Sequence, residues 1–178
     1  MSSRLGLAAV LVCATALVAG CAPQPDPTPT QTAAFASEDE AFAAAEETYR
    51  AYVDALNNVD LSDPATFEDV YKWETGDALA DEKKSLTQMH ADAWVMDGVT
   101  KPGRATLVEY SPRSNELITI HVCMDVGDVK VQDADGNSLV SDTRPDVQPL
   151  EVALELEAAS RTELVISRTA GSDQLCDS

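Results

Sequence analysis

Hydrophobic positions recur with a helical period in the first half of the chain and with a strand period in the second half. In the first segment of this pattern the apolar residues are Phe42, Ala45, Tyr49, Tyr52, Val53 and Leu56. This spacing predicts an α-helix with one broad apolar face. Ser37 followed by Glu40 has the spacing of a capping box, so we expect the helix to begin there.

Two further helices are predicted before residue 92. Asp63 and Pro64 supply an N-cap and a proline for the first turn of a short helix. The apolar residues of this helix are Phe67, Val70 and Tyr71. A third helix, at about residues 77–91, has an apolar side formed by Leu79, Leu86 and Met89.

From Trp94 onward the apolar residues alternate with polar ones, which predicts β-strands. The segments AWVMDGV and RATLVEY are expected to be strands joined by a turn at residues 101–103. In the next strand one face carries Ile118, Ile120, Val122, Met124 and Val126. After Gly127 the apolar residues move to odd positions, which predicts a β-bulge that bends this strand.

Asp135 and Gly136 predict a hairpin turn after the bend. Alternation over residues 150–157 predicts a strand with one solvated face, and Leu164 and Ile166 mark a last strand. Helices followed by antiparallel strands indicate an α+β fold, in which the N-terminal helices pack on a bent antiparallel sheet. A sheet-and-helix sandwich of different topology is the alternative.

A targeting segment precedes this domain. Arg4 gives it a positive start, and the apolar run at residues 5–18 is short for a transmembrane helix of about 20 residues. The run ends in LVAGC at residues 17–21, which resembles the bacterial lipobox. This resemblance implies a signal peptide at residues 1–20, a diacylglyceryl group on Cys21, and a location on the outer, extracytoplasmic face of the cell membrane. A plain signal peptide is the alternative.

Residues 21–36 are expected to be a disordered linker, and residues 37–178 a single domain. Four prolines lie between Cys21 and Thr30, and they favour an extended spacer. At about 3.1 Å per residue this spacer would hold the domain roughly 40 Å from the lipid surface. The residues beyond it suffice for one hydrophobic core.

The charge of the chain excludes some partners. All 31 acidic residues follow Cys21, and the chain after Cys21 carries about 20 net negative charges. Such a field repels nucleic acid and anionic lipid headgroups, so we expect no nucleic-acid binding and no membrane contact beyond the acyl chains of the anchor. Solubility is the simpler explanation of the acidity, and a dedicated cation-binding role is the alternative.

The cysteines predict one disulfide. Cys13 leaves with the signal peptide and Cys21 receives the lipid, so Cys123 and Cys176 remain in an oxidising compartment. Two free thiols or a metal site are the alternatives, but no CxxC or histidine-rich spacing accompanies the pair. The DADGN segment at residues 133–137 lacks the glycine position and the glutamate of a calcium loop. We therefore expect neither a metal ion nor a cofactor.

The order of elements resembles the NTF2-like, cystatin-like cone family. The stretches behind this resemblance are EAFAAAEETYRAYVDALN, the MHADAW segment between helix and strand, and the Cys123/Cys176 pair. More closely, the chain is similar to small secreted bacterial lipoproteins that join a lipobox, a Pro/Thr spacer and one such cone. The resemblance implies a sheet curled around a pocket that the first helix closes. Some members of the family isomerise, dehydrate or hydrolyse small molecules with Asp/His pairs.

Few residues are candidates for a site in such a pocket. The candidate ligand-binding residues are Tyr49, Tyr52, Trp73, Trp94 and His121. The four aromatic residues are equally consistent with plain core positions. His121 is a weak candidate for a general base, because Asp125 lies about 13 Å farther along the same strand and cannot form a dyad with it. A structural histidine beside a disulfide is the alternative.

The chain contains no GxSxG, HExxH or phosphate-binding glycine loop. The sequence therefore favours a non-catalytic, lipid-anchored binding or interaction module of the bacterial cell envelope. Its expected partner is an envelope protein, a wall component or a small apolar ligand. The alternative is a small-molecule isomerase, dehydratase or hydrolase of the cone type, which would rest on fold analogy.

Overall fold

Helices precede strands in the computed structural model, which describes residues 34–176. The elements are α1 (Glu38–Leu56), a 3-10 turn (Pro64–Thr66), α2 (Phe67–Tyr71), α3 (Gly76–Ala91), β1 (Val95–Asp97), β2 (Lys101–Tyr110), β3 (Glu116–Asp125), β4 (Lys130–Gln132), β5 (Val147–Leu156) and β6 (Leu164–Gly171). The predicted signal peptide, the predicted lipidation at Cys21 and most of the predicted linker lie outside the described residues.

The helix boundaries follow from local capping. The Ser37 side chain accepts a hydrogen bond from the backbone N–H of Glu40, and the Glu40 carboxylate accepts one from the N–H of Ala36. These bonds satisfy N–H groups that have no partner within α1, so the predicted helix start is confirmed. Asp63 likewise caps the 3-10 turn that leads into α2, because its side chain accepts from the N–H of Ala65.

The strands β2, β3, β5 and β6 form one antiparallel sheet in that order. The helices pack on one face of this sheet, and α1 contacts β2, β3 and β6. The α+β class, with N-terminal helices on an antiparallel sheet, is therefore confirmed. Among residues 34–176 no helix combines the length and the apolar character needed to cross a bilayer.

Two predicted details of the strands are wrong. Residues 101–103 are the start of β2 and not a turn. Gly103 is needed inside the strand, because a Cβ atom there would lie 1.9 Å from the carbonyl oxygen of Cys123 on β3. The register between β2 and β3 shifts between Pro102 and Ala105, so the proline is accommodated at an irregular position of an edge strand.

The predicted β-bulge at Gly127 is also absent, because the strand ends before this residue. β3 ends at Asp125, and the following residues leave the main sheet to reach β4. β4 pairs with β1 in a separate two-stranded antiparallel sheet, which explains why the apolar residues change parity there. The predicted hairpin turn at Gly136 is present, and this glycine adopts a positive φ of 84°.

The main core lies between α1 and the sheet. Its α1 residues are Ala41, Ala45, Tyr49 and Val53, and its strand residues are Leu117, Ile118, Ile120, Val122, Val152, Leu154, Leu164 and Ile166. Phe35 also belongs to this core and is 7% exposed, so the packed domain begins slightly before the predicted boundary at residue 37. A second cluster joins Leu61, Phe67 and Leu86 beneath α2 and α3.

Leu154→Ala should lower the free energy of unfolding by about 2–5 kcal/mol, because it leaves a cavity at a fully buried position of β5. Leu156→Ala on the same strand is the matched control. Its side chain is 48% exposed, so the expected loss is within about 0.5 kcal/mol. Urea unfolding measures both changes, and equal losses would contradict the burial of Leu154 beside the exposed Leu156.

Candidate functional site

The structure distributes the five predicted ligand-binding residues over four places. Tyr49 and Tyr52 lie on the side of α1 that faces the sheet, with ring centroids 6.4 Å apart. Trp73 lies at the surface after α2, and Trp94 packs against the second cluster. His121 alternates with the core residues of β3 and therefore points to the opposite face of the sheet. The five residues do not form one pocket.

Tyr52 lies near two acidic residues that the sequence pattern did not identify as site candidates. Its hydroxyl donates to Glu82 Oε2 on α3 at 3.2 Å. Glu74 lies near both residues. The negative charge of Glu74 raises the pKa of Tyr52, and the negative charge of Glu82 raises the pKa of Glu74. We call Tyr52, Glu74 and Glu82 the acid cluster. Glu82 occupies the apolar side of α3 between Leu79 and Leu86, and this position was the sequence signal that could have identified it.

Glu74 is buried because the backbone around it pairs with the last strand. The N–H of Thr75 donates to the carbonyl of Ile166, and the N–H of Ile166 donates to the carbonyl of Trp73, each at 2.8 Å. This short parallel bridge points the Glu74 side chain inward, where it is 7% exposed and its Oε2 has no hydrogen-bond partner. No local pattern marks such a residue, since β6 lies about 90 residues farther along the chain.

Burial controls the electrostatics of the acid cluster. Burial raises the pKa of Glu74 to about 8, and the neighbouring charge of Glu82 adds to this shift. Burial also raises the pKa of Glu82, although its hydrogen bond from Tyr52 opposes the change. At neutral pH Glu74 therefore holds a proton. Burying the neutral carboxylic acid costs less free energy than burying an unpaired carboxylate.

His121 has a structural environment on the other face of the sheet. It is 3% exposed, and its Nε2 lies 3.2 Å from the carbonyl oxygen of Gln174 in the C-terminal tail. The same tail is attached to β3 by the disulfide between Cys123 and Cys176, whose Cα atoms are 5.7 Å apart. The disulfide expected from the sequence is thus present, and the tail covers the histidine.

The carboxylates near His121 are engaged elsewhere. Glu151, its register partner on β5, forms an ion pair with Arg168 at 3.5 Å. Asp125 accepts a hydrogen bond from the N–H of Gly127 and lies 3.7 Å from the Lys101 ammonium. His90, the second histidine, contacts the carbonyl oxygen of Leu61 through Nδ1 at 2.7 Å. Each histidine thus contacts a backbone carbonyl oxygen, and within the described part of the chain neither contacts a carboxylate in a dyad.

Trp73 is the point where two surface grooves meet. One groove, with a volume of 380 Å³, runs between Trp73, Lys72 and the loop before β6. The other, of 550 Å³, runs between Trp73 and the solvent side of α1. The Arg161 guanidinium lines both grooves and lies 5.8 Å from the centre of the Trp73 ring. We call these residues and the two grooves the Trp73 surface.

Trp94 belongs to a different part of the surface. It packs on the cluster of Leu61, Phe67 and Leu86 and borders two further grooves of 310 and 330 Å³. Packing against this cluster is sufficient to explain why an aromatic residue occupies position 94. Neither Glu74 nor His121 lines any of the four grooves described here.

No family model matches the chain, and no curated protein is similar to it in sequence. Among solved structures, a periplasmic fragment of TraM is similar with a TM-score of 0.46 and 11% identity, covering 76% of this chain and 96% of that one. A de novo designed β-sheet protein is similar with a TM-score of 0.29 and 15% identity, covering 79% of this chain and 96% of that one.

Glu74→Gln should make the stability of the protein less dependent on pH. Because the pKa of Glu74 is raised from 4.5 to about 8, the folded state keeps a proton that the unfolded chain has lost. The wild-type free energy of unfolding should therefore fall as the pH rises from about 4.5 to about 8, by on the order of 2 kcal/mol. Glutamine is neutral and of the same size, so it should remove most of this fall.

Urea unfolding at several pH values in this window measures the effect. Glu68→Gln, at an exposed position of α2, is the control and should keep the wild-type pH dependence. The same pH dependence in wild type and Glu74→Gln would show that Glu74 is not buried as described.

Proposed function

We propose that the protein is a lipid-anchored, extracytoplasmic module of the bacterial cell envelope that binds a wall saccharide on its Trp73 surface. The observation that carries the proposal is the meeting of two grooves at one indole ring. A sugar ring has an apolar C–H face that can pack on an indole, and hydroxyl groups that need polar partners at the edge. The Trp73 surface offers both.

The polar partners lie on the rims of the two grooves. The first rim includes Lys72, Glu157 and Ser160, and the second includes Arg50 and Asp54. Donors and acceptors thus lie on both sides of the ring. The strong negative charge of the chain disfavours anionic polymers as ligands, whereas a neutral saccharide meets no such repulsion.

The anchor and the location are supported by the sequence at residues 17–21, which resembles a lipobox. A diacylglyceryl group supplies two acyl chains, and two chains suffice for stable membrane attachment. The proline-rich segment that follows would extend the domain away from the lipid surface and toward the wall. An NTF2-like cone remains the family proposal that agrees with this order of segments.

The alternative, an isomerase, dehydratase or hydrolase, requires a titratable side chain that faces a cavity. In the part of the chain that the structure describes, the strongest candidates are His121 and Glu74. His121 is covered by the C-terminal tail, and neither residue lines the grooves described above. No observation favours this alternative over binding.

Trp73→Leu should weaken binding to purified wall saccharide by about tenfold, since the loss of one stacked ring costs on the order of 1.4 kcal/mol. Trp94→Leu removes the other tryptophan of the chain and is the matched control, with unchanged affinity expected. Isothermal titration of the full-length protein measures both variants. Equal weakening in the two variants, or binding of an envelope protein in place of the saccharide, would contradict the proposed ligand.

Cys21→Ser should abolish incorporation of a fatty-acid probe and release the protein from the membrane fraction, because the thiol that accepts the lipid is lost. Cys13→Ser changes a cysteine inside the predicted signal peptide and should leave labelling intact. Gel fluorescence of the labelled protein provides the measurement. Labelling that persists in Cys21→Ser would refute the lipobox.

A further inference from the structure

The disulfide and the buried histidine form a cluster of potential metal ligands. One ring nitrogen of His121 and the sulfur atoms of Cys123 and Cys176 lie within 4.8 Å of one another. Within residues 34–176 this is the only group of three such side chains that comes so close together. Neither the proposed saccharide binding nor the acid cluster uses it.

The topology explains why these three side chains meet. His121 and Cys123 are two residues apart on β3, so both point away from the helices. The C-terminal tail crosses this face and brings Cys176 to Cys123. The site is therefore built on the central region of the sheet, and its third ligand comes from a tail whose neighbouring residue Leu175 is 84% exposed.

We propose that reduction of the Cys123–Cys176 disulfide converts these two cysteines and His121 into a binding site for a thiophilic divalent cation of the zinc type. Two thiolates and one imidazole are a ligand set that zinc takes in tetrahedral geometry, with one further position for water. Bond lengths of about 2.0–2.3 Å place such ligand atoms roughly 3.5–3.8 Å apart. The donor atoms therefore need only small movements once the sulfur atoms separate.

A dithiol can serve as the reductant of the Cys123–Cys176 disulfide. The dithiol gives two electrons and two protons to the disulfide and becomes a disulfide itself, which leaves two cysteine thiols. Zinc then displaces the two thiol protons, and the dipositive ion is neutralised by the two thiolates. The lone pair of the neutral imidazole completes the three protein ligands.

The surroundings of His121 suit a ligand role. A carbonyl oxygen can only accept a hydrogen bond, so Nε2 donates to Gln174 and Nδ1 would be the nitrogen that binds the metal. A hydrogen bond from the other ring nitrogen to a carbonyl is the usual outer contact of a metal-ligating histidine. In the reduced protein the metal would attach the tail to β3 in place of the disulfide.

The test uses the full-length protein, either oxidised or reduced with a phosphine, and titrates it with zinc or with cobalt as a spectroscopic substitute. We expect the reduced protein to bind one equivalent and to show the visible bands of tetrahedral cobalt with thiolate ligands, whereas the oxidised protein binds none. His121→Gln should weaken binding by at least about tenfold. His90→Gln is the matched control and should bind like wild type.

A Cys123→Ser, Cys176→Ser double variant measures the background binding of zinc by the remaining side chains, including the many carboxylates. Reduced wild type that binds no better than this variant would overturn the proposal. Unchanged affinity in His121→Gln would overturn the three-ligand site. If reduction unfolds the chain, circular dichroism of the reduced protein with and without zinc provides the test. Zinc that binds the folded state should restore the secondary structure. A reduced chain that stays unfolded with zinc would also refute the proposal.

Discussion

The packing of α1 on one face of the main sheet is the interaction on which the remaining structure depends. Tyr49 and Val53 on α1 belong to the same buried cluster as Ile120 and Val152 on the sheet. A strand directs every second side chain to each face, so this packing decides what the other face can contain. Once Ile120 faces the helix, His121 must face away from it.

The C-terminal tail covers part of the sheet face that points away from the helices. The C-terminal tail lies over β3 and is attached there by the disulfide between Cys123 and Cys176. A hydrogen bond from His121 to the backbone of Gln174 adds a second attachment. Histidine, disulfide and tail thus form one connected unit, in which the histidine is buried while most of the tail residues remain exposed. The proposed metal site uses this unit after the covalent link is opened.

The segment after α2 links the acid cluster to the Trp73 surface. Trp73 and Glu74 are adjacent at the turn that follows α2, and backbone hydrogen bonds to Ile166 of β6 hold this turn in place. Trp73 reaches the surface and Glu74 enters the interior. The position of the proposed binding ring therefore depends on a bridge that also buries a carboxyl group, and protonation of that group removes most of the cost of burying it.

The sequence by itself determined the local elements and their class. The capping box at Ser37, the helical period of α1 and the alternation in β3 and β5 were sufficient, because these signals depend on neighbours within one or two turns. Only the tertiary structure decided that residues 101–103 belong to a strand, that Glu74 is buried and that His121 lies under the tail. Each of these outcomes depends on a contact between residues far apart in the chain, and the periodicity of a segment carries no information about such contacts.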